Sequence, residues 1–494
     1  MTTAPEPVTY GNWRKARGLG IGHLSPAQSL VLVGCVGVPT LASSLLGLIE
    51  TLPLIGVAVV VALLLVVRVR GTTPAEVIVR AARFSMARKR GWADLSGGML
   101  TDHPRGHDLP GVMAPLAPLS TDDGRGGKQG LLWHRRSGHI TAVLRVSPLG
   151  VELADSSDVD AWVANWGAFL ADLGYRPMID HVAITTDTVP AGGSSSRDYI
   201  AERIDPTSPP AAQAVMRELA ELTPDAVADV DTRISITFDP AVAPIKPDDL
   251  LAAAAEVTRW LPGVEQMLAP CGIAYNNRLT AEEITAILRT AYDPAARADA
   301  ARSLTSPNRH ELLRWEEAGP VRATEEWDLW RHDSAISVTW ALTEAPRQAV
   351  ISQVLLPLLS PGPYARRVTL LYRPFPAEDA ARKLESEISN TVIRQWWNRT
   401  TQRDTTQRDI DDNAQARQAA REESAGAGVG TFTLYVSTSV PHADFLPAAI
   451  ADVEQRAGQA KLRLRRLNGA HAAGFAAALG MGIDPATTTG KARR

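Results

Sequence analysis

At 494 residues the chain has room for about three domains at roughly 150 residues each. Its formal net charge of −3 advertises no basic field, so direct sequence-specific nucleic-acid binding is not expected. Two cysteines, Cys35 inside an apolar stretch and Cys271 far downstream, argue against a disulfide framework and mark the bulk of the chain as cytosolic.

Nearly all long apolar stretches lie before residue 70. Residues 1–29 form a basic cytosolic segment carrying Arg14, Lys15 and Arg17. An uncharged run then extends from Leu30 to Ile49, and a second from Leu52 to Val67. A spanning helix needs about 20 residues, with about 17 at the lower limit. The first run meets this outright. The second reaches it by including Val69 while Arg68 snorkels to the headgroups. Only Glu50 and Thr51 separate the runs, and Pro53 suits the first turn of a new helix. The pattern predicts a two-helix transmembrane hairpin over residues 30–69.

Orientation follows from the basic residues. Arg68, Arg70, Arg80, Arg83, Arg88, Lys89 and Arg90 follow the second run, whereas the turn carries Glu50. Both termini are therefore expected in the cytoplasm, in a multi-pass protein of the cell membrane. A signal peptide would have one apolar core of about 7–15 residues and no basic stop-transfer cluster. A buried core hairpin would not need such lopsided flanks. Gly34, Gly37 and Pro39 either permit close packing or reflect the ordinary composition of membrane helices.

Residues 70–130 read as a basic helix and a linker. Thr73 and Pro74 form an N-cap and N1 pair. The helix to Lys89 carries Val77, Ile78, Phe84 and Met86 among basic residues, which suits either contact with anionic lipid or a solvated connector. Gly91 to Gly130 is rich in Gly, Pro, Asp and His, as in a linker with short ordered pieces.

Alternating helix and strand periods follow in two blocks, residues 131–310 and 311–480, before a flexible tail at 481–494. In the first, strands are expected at Ile140–Val146, Met178–Thr186 and Arg233–Phe238. Helices are expected after a Ser156–Ser157 cap (with Trp162, Trp166, Phe169 and Leu170 on one face) and, beyond a Gly192–Ser196 break, at Ala211–Leu222, Pro247–Leu261 and Thr280–Ala291. In the second, strands are expected at Ala335–Leu342, Val368–Tyr372, Thr431–Val440 and Leu462–Leu467. Its helices are Arg347–Leu359, Ala443–Gln459 and an Ala-rich one ending near Leu479. The fold class is thus membrane-anchored α+β, with two β-α-β cytosolic blocks suggestive of a duplicated, ferredoxin-like module, though no sequence repeat proves duplication.

Residues 377–425 stand apart as a helical arm without Pro or Gly, dense in Arg, Gln, Glu and Asp. One helix of that length would reach roughly 70 Å, or the arm folds back as a pair. The tandem Thr400–Asp404 and Thr405–Asp409 marks a weak point, since paired Thr favour helix poorly. The arm either protrudes toward a partner or covers its own sheet. Trp396 and Trp397 within it are either core or a partner-interface anchor.

Motifs that would carry chemistry are few. Gly127-Lys128 and Gly490-Lys491 lack the spacing of a phosphate-cradling loop, so no nucleotide turnover is expected. His103 and His107 are separated by Pro104 and Gly106, which deny the helix a metal pair would use. No catalytic residue, cofactor or metal site is assigned, and the chain is not expected to be an enzyme.

Several short motifs resemble a family of actinobacterial membrane proteins encoded in integrative conjugative elements. They are Tyr10-Gly11-Asn12-Trp13-Arg14 with Arg17, the apolar hairpin, Trp315 with Ala318-Gly319-Pro320, the long charged helix after Pro376, and Leu464-Arg465-Arg466-Leu467-Asn468-Gly469 with Phe475. In that family the hairpin is similar to PrgI, the small inner-membrane subunit of type IV secretion, and the soluble part resembles the N-terminal, non-motor region of the conjugation ATPase. The family tends to close this region with Leu-Pro-Leu, where this chain has Ala478-Leu479-Gly480, so the last helix is expected to be less secure. The resemblance implies a non-catalytic docking component of a conjugative DNA-transfer machine. Its partners would be the lipid bilayer, other secretion-machine membrane subunits, a separate P-loop motor ATPase and further copies of itself. The sequence also resembles EccE, a type VII secretion membrane component with two N-terminal spans and a cytosolic α/β domain. A membrane-bound enzyme without a recognisable motif is the third class.

Overall fold

The computed structural model describes residues 10–11, 26–47, 49–67, 73–98, 102, 106–150, 154–190, 203–222, 228–346, 348–376 and 428–485. The 377–425 arm with Trp396 and Trp397 lies outside the described residues. So do Arg14, Lys15, Arg17, Arg68, Arg70, His103 and the Gly192–Ser196 break.

The strands are β1 (Tyr10–Gly11), β2 (Asp94–Ser96), β3 (Leu116–Asp122), β4 (Lys128–His134), β5 (Ile140–Pro148), β6 (Ile179–Pro190), β7 (Ala228–Phe238), β8 (Ile273–Arg278), β9 (Arg322–Glu325), β10 (Trp330–His332), β11 (Ala335–Glu344), β12 (Ala349–Val350), β13 (Ala365–Pro374), β14 (Gly430–Val440) and β15 (Arg463–Arg466). The helices are α1 (Pro26–Leu46), α2 (Leu52–Val66), α3 (Pro74–Lys89), α4 (Ser156–Leu173), α5 (Pro210–Leu222), α6 (Leu250–Gln266), α7 (Ala281–Tyr292), α8 (Arg297–Thr305), α9 (Arg309–Leu312), α10 (Leu356–Leu359), α11 (Leu446–Gln459) and α12 (His471–Ala478).

The protein is α+β, built on one large antiparallel sheet behind an N-terminal apolar helix. Among the described residues 13 strands join in the order β2-β9-β10-β11-β14-β13-β6-β7-β5-β4-β3, with β8 added to β5 and β15 to β11. The two predicted blocks repeat one pairing scheme. In the first, β7 takes one edge of β5, while β4 and β8 share the other. In the second, β14 takes one edge of β11, while β10 and β15 share the other. The halves join where β6 pairs β13, with Thr185 opposite Thr369.

Strand alternation sends successive side chains to opposite faces, and the two faces differ. On one face, Ile140, Ala142, Leu144 and Ile236 pack against Phe169 and Leu173 of α4 and Val257 and Leu261 of α6. The same face continues into the second half, where Ile336, Val338, Trp340 and Val436 meet Leu358 of α10 and Val453 of α11. The opposite face carries a buried row of hydroxyls. Thr141 and Thr237 lie 2.9 Å apart, Thr185 and Thr369 3.0 Å, and Ser337 and Ser439 2.7 Å. Such cross-strand pairs satisfy each other's donors and acceptors, which burial requires. Small residues cover this row. A Cβ on Gly480 would sit 2.1 Å from Thr185 Oγ1, and one on Gly482 2.0 Å from Thr141 Oγ1. Both glycines have positive φ, so backbone alone fits and the chain after α12 lies flat across the join.

Five expectations need correction, and the first is the flexible tail at 481–494, since Met481 and Ile483 are buried in an apolar core. The Gly91–Gly130 stretch is not mainly linker, because β2 and β3 are strands of the sheet. The β3–β4 hairpin turns through Asp122, Asp123 and left-handed Gly124 and Gly126, so composition that reads as a loop supplies a turn between strands. The helix expected over Arg347–Leu359 shrinks to α10, preceded by β12 and a 3-10 turn at Ser352–Leu355. Pro361 holds Ser360 extended and stops the helix. The N-cap position of α4 is Asp155, in extended conformation, rather than Ser156 or Ser157. Finally, α12 is not the insecure element: His471 and Gly474 to Ala478 are all buried, and Phe475 packs on Tyr292 and Trp330.

Candidate membrane anchor and its seat on the body

Within α1, Gln28–Leu45 is long and apolar enough to cross a membrane. Little of it is covered by the rest of the protein; Leu30, Val33, Val36, Leu41 and Leu45 are all exposed. The shorter α2 is also apolar but spans 15 residues, because Val67 turns extended. That is below the length a span requires, about 17–20 residues. The residues proposed as the ends of the apolar runs, Leu30, Ile49, Leu52 and Val67, are all exposed, Ile49 at 88%. Surface of this kind, contiguous and aliphatic, is rare on a body that faces only water.

The next helix is held differently. Thr73 and Glu76 form a reciprocal capping box at the start of α3, and Pro74 occupies its first turn. Its inner side meets the body. Phe84 packs edge-on against Trp327 with ring centroids 5.6 Å apart. Gly469 makes room beneath them, since a Cβ there would approach the Trp327 ring to 2.8 Å. Its φ of +70° suits glycine, and its amide donates to the Trp327 carbonyl at 2.7 Å. Arg465 lies near Arg80 and Glu76; burial and Arg80 push its guanidinium below the usual range, and Glu76 partly offsets them. The Leu464–Gly469 motif is therefore the seat of α3. Arg80 is half-buried there, whereas Arg83, Arg88, Lys89 and Arg90 are exposed.

The chain before α1 also reaches the body, because β1 pairs antiparallel with β12, Tyr10 opposite Val350 and Gly11 opposite Ala349. The sequence singled out Tyr10-Gly11 and Phe84 but not their partners. Trp327, Ala349 and Val350 carry no pattern of their own, and only the Leu464–Gly469 motif pointed toward the seat.

A second region of interest lies at the strand ends beside the join of the two halves. A cavity of about 510 Å³ is lined by Asp187, Arg297, Arg366, Arg367 and Ser439, among others. Burial pushes the Asp187 carboxyl up, but Arg367 and Arg233 outweigh that and hold it below the usual range. Arg367 reaches it twice, at 2.9 and 2.6 Å. Behind Ser439, Ser337 bonds His332 Nε2 at 2.7 Å, and His332 Nδ1 donates to the Tyr292 carbonyl. Burial drives His332 down to about 4, so the ring is neutral and the chain of hydroxyls ends in an acceptor. Asp187 and Arg367 satisfy each other, as do the two serines and His332, and the arrangement braces the join. Elsewhere, His107 is exposed. Among the described residues no group of three or more His, Cys, Asp or Glu could hold a metal ion.

No protein-family model matches the chain, and no curated protein matches it.

Proposed function

We propose that this chain is a non-catalytic, multi-pass component of the cell membrane that docks a separate motor ATPase in a type IV secretion machine for conjugative DNA transfer. The observation that carries the anchor is the bare apolar surface of α1 and α2, set between two attachments to one body. Residues before α1 pair with β12, and α3 after α2 sits on Trp327. A chain that leaves one side of a bilayer and returns to it crosses an even number of times. The short α2 then crosses with its extended flank and local thinning of the bilayer, at fractions of a kcal/mol per Å of mismatch. Both termini lie in the cytoplasm.

The body belongs to this reading as two ferredoxin-like units. In the first, β5-α4-β6-β7-α6-β8 follows β-α-β-β-α-β with α5 inserted between β6 and β7, and the neighbours follow the order β8-β5-β7-β6. In the second, β11, β13, β14 and β15 repeat that order as β15-β11-β14-β13. The resemblance to conjugative-element membrane proteins rests on the motifs quoted above, of which Tyr10-Gly11 and Leu464–Gly469 are the ones that tie the anchor to the body.

Two experiments test the proposal. Glu50→Cys, exposed in the turn, should react with an impermeant thiol reagent on intact cells, while a cysteine placed near either terminus should not. Thr51 is a poorer site because it is buried. Labelling of the termini without the turn sinks the topology. Separately, the full chain in detergent should capture a conjugation motor ATPase and should not hydrolyse ATP itself. Failure to capture it sinks the docking role, and turnover that survives repurification sinks the non-catalytic one.

A further inference from the structure

With its inner side seated on the body, α3 leaves an outer side that none of the described residues covers. One turn per 3.6 residues puts Ile78, Ala82, Ser85 and Lys89 in line, with Val79 and Met86 beside them. Arg80, Phe84 and Ala87, half-buried, face the opposite way. Ile78 is 55% exposed, Met86 54%, and Trp92, just past the helix end, 69%. Arg83, Arg88, Lys89 and Arg90 border this strip, and the Arg90 guanidinium lies 5.0 Å over the Trp92 ring. The helix's single acid, Glu76, is engaged in the capping box.

A connector helix in water would show a polar outer side. This one shows aliphatic residues flanked by cations and followed by an amphipathic aromatic, the composition of a helix lying in a membrane interface. Continuity points the same way, since α2 ends at Val66 and α3 begins at Pro74. We infer that the outer side of α3 lies on the headgroups of anionic phospholipid, so that the body is held flat against the bilayer rather than hung from a free linker. This rests on the anchor reading above and adds to it the partner of α3 and the orientation of the body.

The test uses the full chain reconstituted into phosphatidylcholine vesicles, with or without phosphatidylglycerol. In a Cys35→Ser, Cys271→Ala background whose thermal midpoint matches the parent, a fluorophore is placed at Ile78→Cys or, in α2, at Val59→Cys. A nitroxide on the lipid headgroup should quench the Ile78 probe when phosphatidylglycerol is present, and less as salt rises. Arg83→Gln and Lys89→Gln should each weaken the association by about fivefold. The Val59 probe should be quenched by a nitroxide deep in the acyl chains under every condition. Quenching at Val59 without quenching at Ile78 overturns the inference and leaves the anchor intact. Quenching at neither overturns the anchor as well. Quenching at Ile78 that ignores lipid charge and both substitutions overturns the assignment to anionic headgroups.

Discussion

The two halves of the sheet share a pairing order but are covered unequally. The first half has two long helices on one face, the 18-residue α4 and the 17-residue α6. In the second half, the position of α4 is filled by α10, 4 residues long, and only α11 matches its counterpart. Prolines at 357, 361 and 363 keep the connection from β11 to β13 from becoming a full helix. That connection instead exposes β12 as an edge, and β1 pairs with it. The difference teaches that the half with the thinner cover is the half that ties down the N-terminal segment. The second half also holds the buried neutral histidines, His332 and His471, both pushed by burial to about 4.

The comparison can be broken most forcefully with acid. An unfolded histidine titrates near 6.5, whereas these two stay neutral to about 4 in the folded state. The unfolded chain therefore binds more protons in that window, and stability falls as pH drops from 6.5 toward 4. The loss should reach about 3 kcal/mol for each histidine. In the first half, burial also lowers His134, but that ring is only half-buried. Asp180 opposes nothing here: burial pushes it up, but His181, Arg373 and His139 hold it at about 2, so its stabilisation is lost only below the window. Hydrogen exchange should rise in β11 and β14 before β5 and β7. The reverse order would remove the second half as the weaker one.

A cavity tests whether the halves unfold separately. Trp340, buried in the second half, should cost about 3–5 kcal/mol as Trp340→Ala. Because β6 and β13 pair continuously from Arg366 to Tyr372, urea should unfold both halves together in this variant. Two separated transitions would show that the join is weaker than its register implies. Gly480→Ala attacks the join itself, adding a Cβ against Thr185 at positive φ. A loss of about 1–3 kcal/mol is expected, felt equally in both halves. The mildest change is Thr73→Ala, which removes the α3 capping box. It should lower helix protection at α3 by about 1 kcal/mol and leave the sheet untouched. A wider effect would mean that the seat of α3 supports the second half.

Periodicity made the long elements legible. β5, β6, β7, β11, β13 and β14 alternate over enough residues to declare themselves, and so do α3, α4, α7 and α11. The short strands β2, β8, β9 and β10 offer too few alternations, and β3 and β4 are broken by Pro118, Asp122, Asp123 and four glycines. The join was invisible for another reason. Thr185 and Thr369 look like ordinary strand residues until the register sets them face to face. Arg233, Arg366 and Arg367 look like surface charge, yet they are buried because Asp187 arrives from β6 and Asp452 from α11, while Asp231 pairs Arg233 along its own strand. At the apolar N-terminal helices, the apolar runs and the Thr73 cap were plain in the sequence. The pairing of β1 and the edge-on contact of Phe84 with Trp327 were not, since both depend on residues brought from hundreds of positions away.

The second apolar core has a consequence for the order in which the protein is made. It combines Leu109, Met113 and Leu116 with Ile284, Leu288, Phe475, Leu479, Met481 and Ile483. The early members leave the ribosome long before the late ones exist. Until α12 and the glycines after it emerge, the hydroxyl row lies open and this core lacks one wall. Loops that long close slowly. The nascent chain therefore carries two aggregation-prone surfaces at once, the apolar helices and an unlidded sheet; on the proposed anchoring, early insertion of the former would leave only one to be guarded.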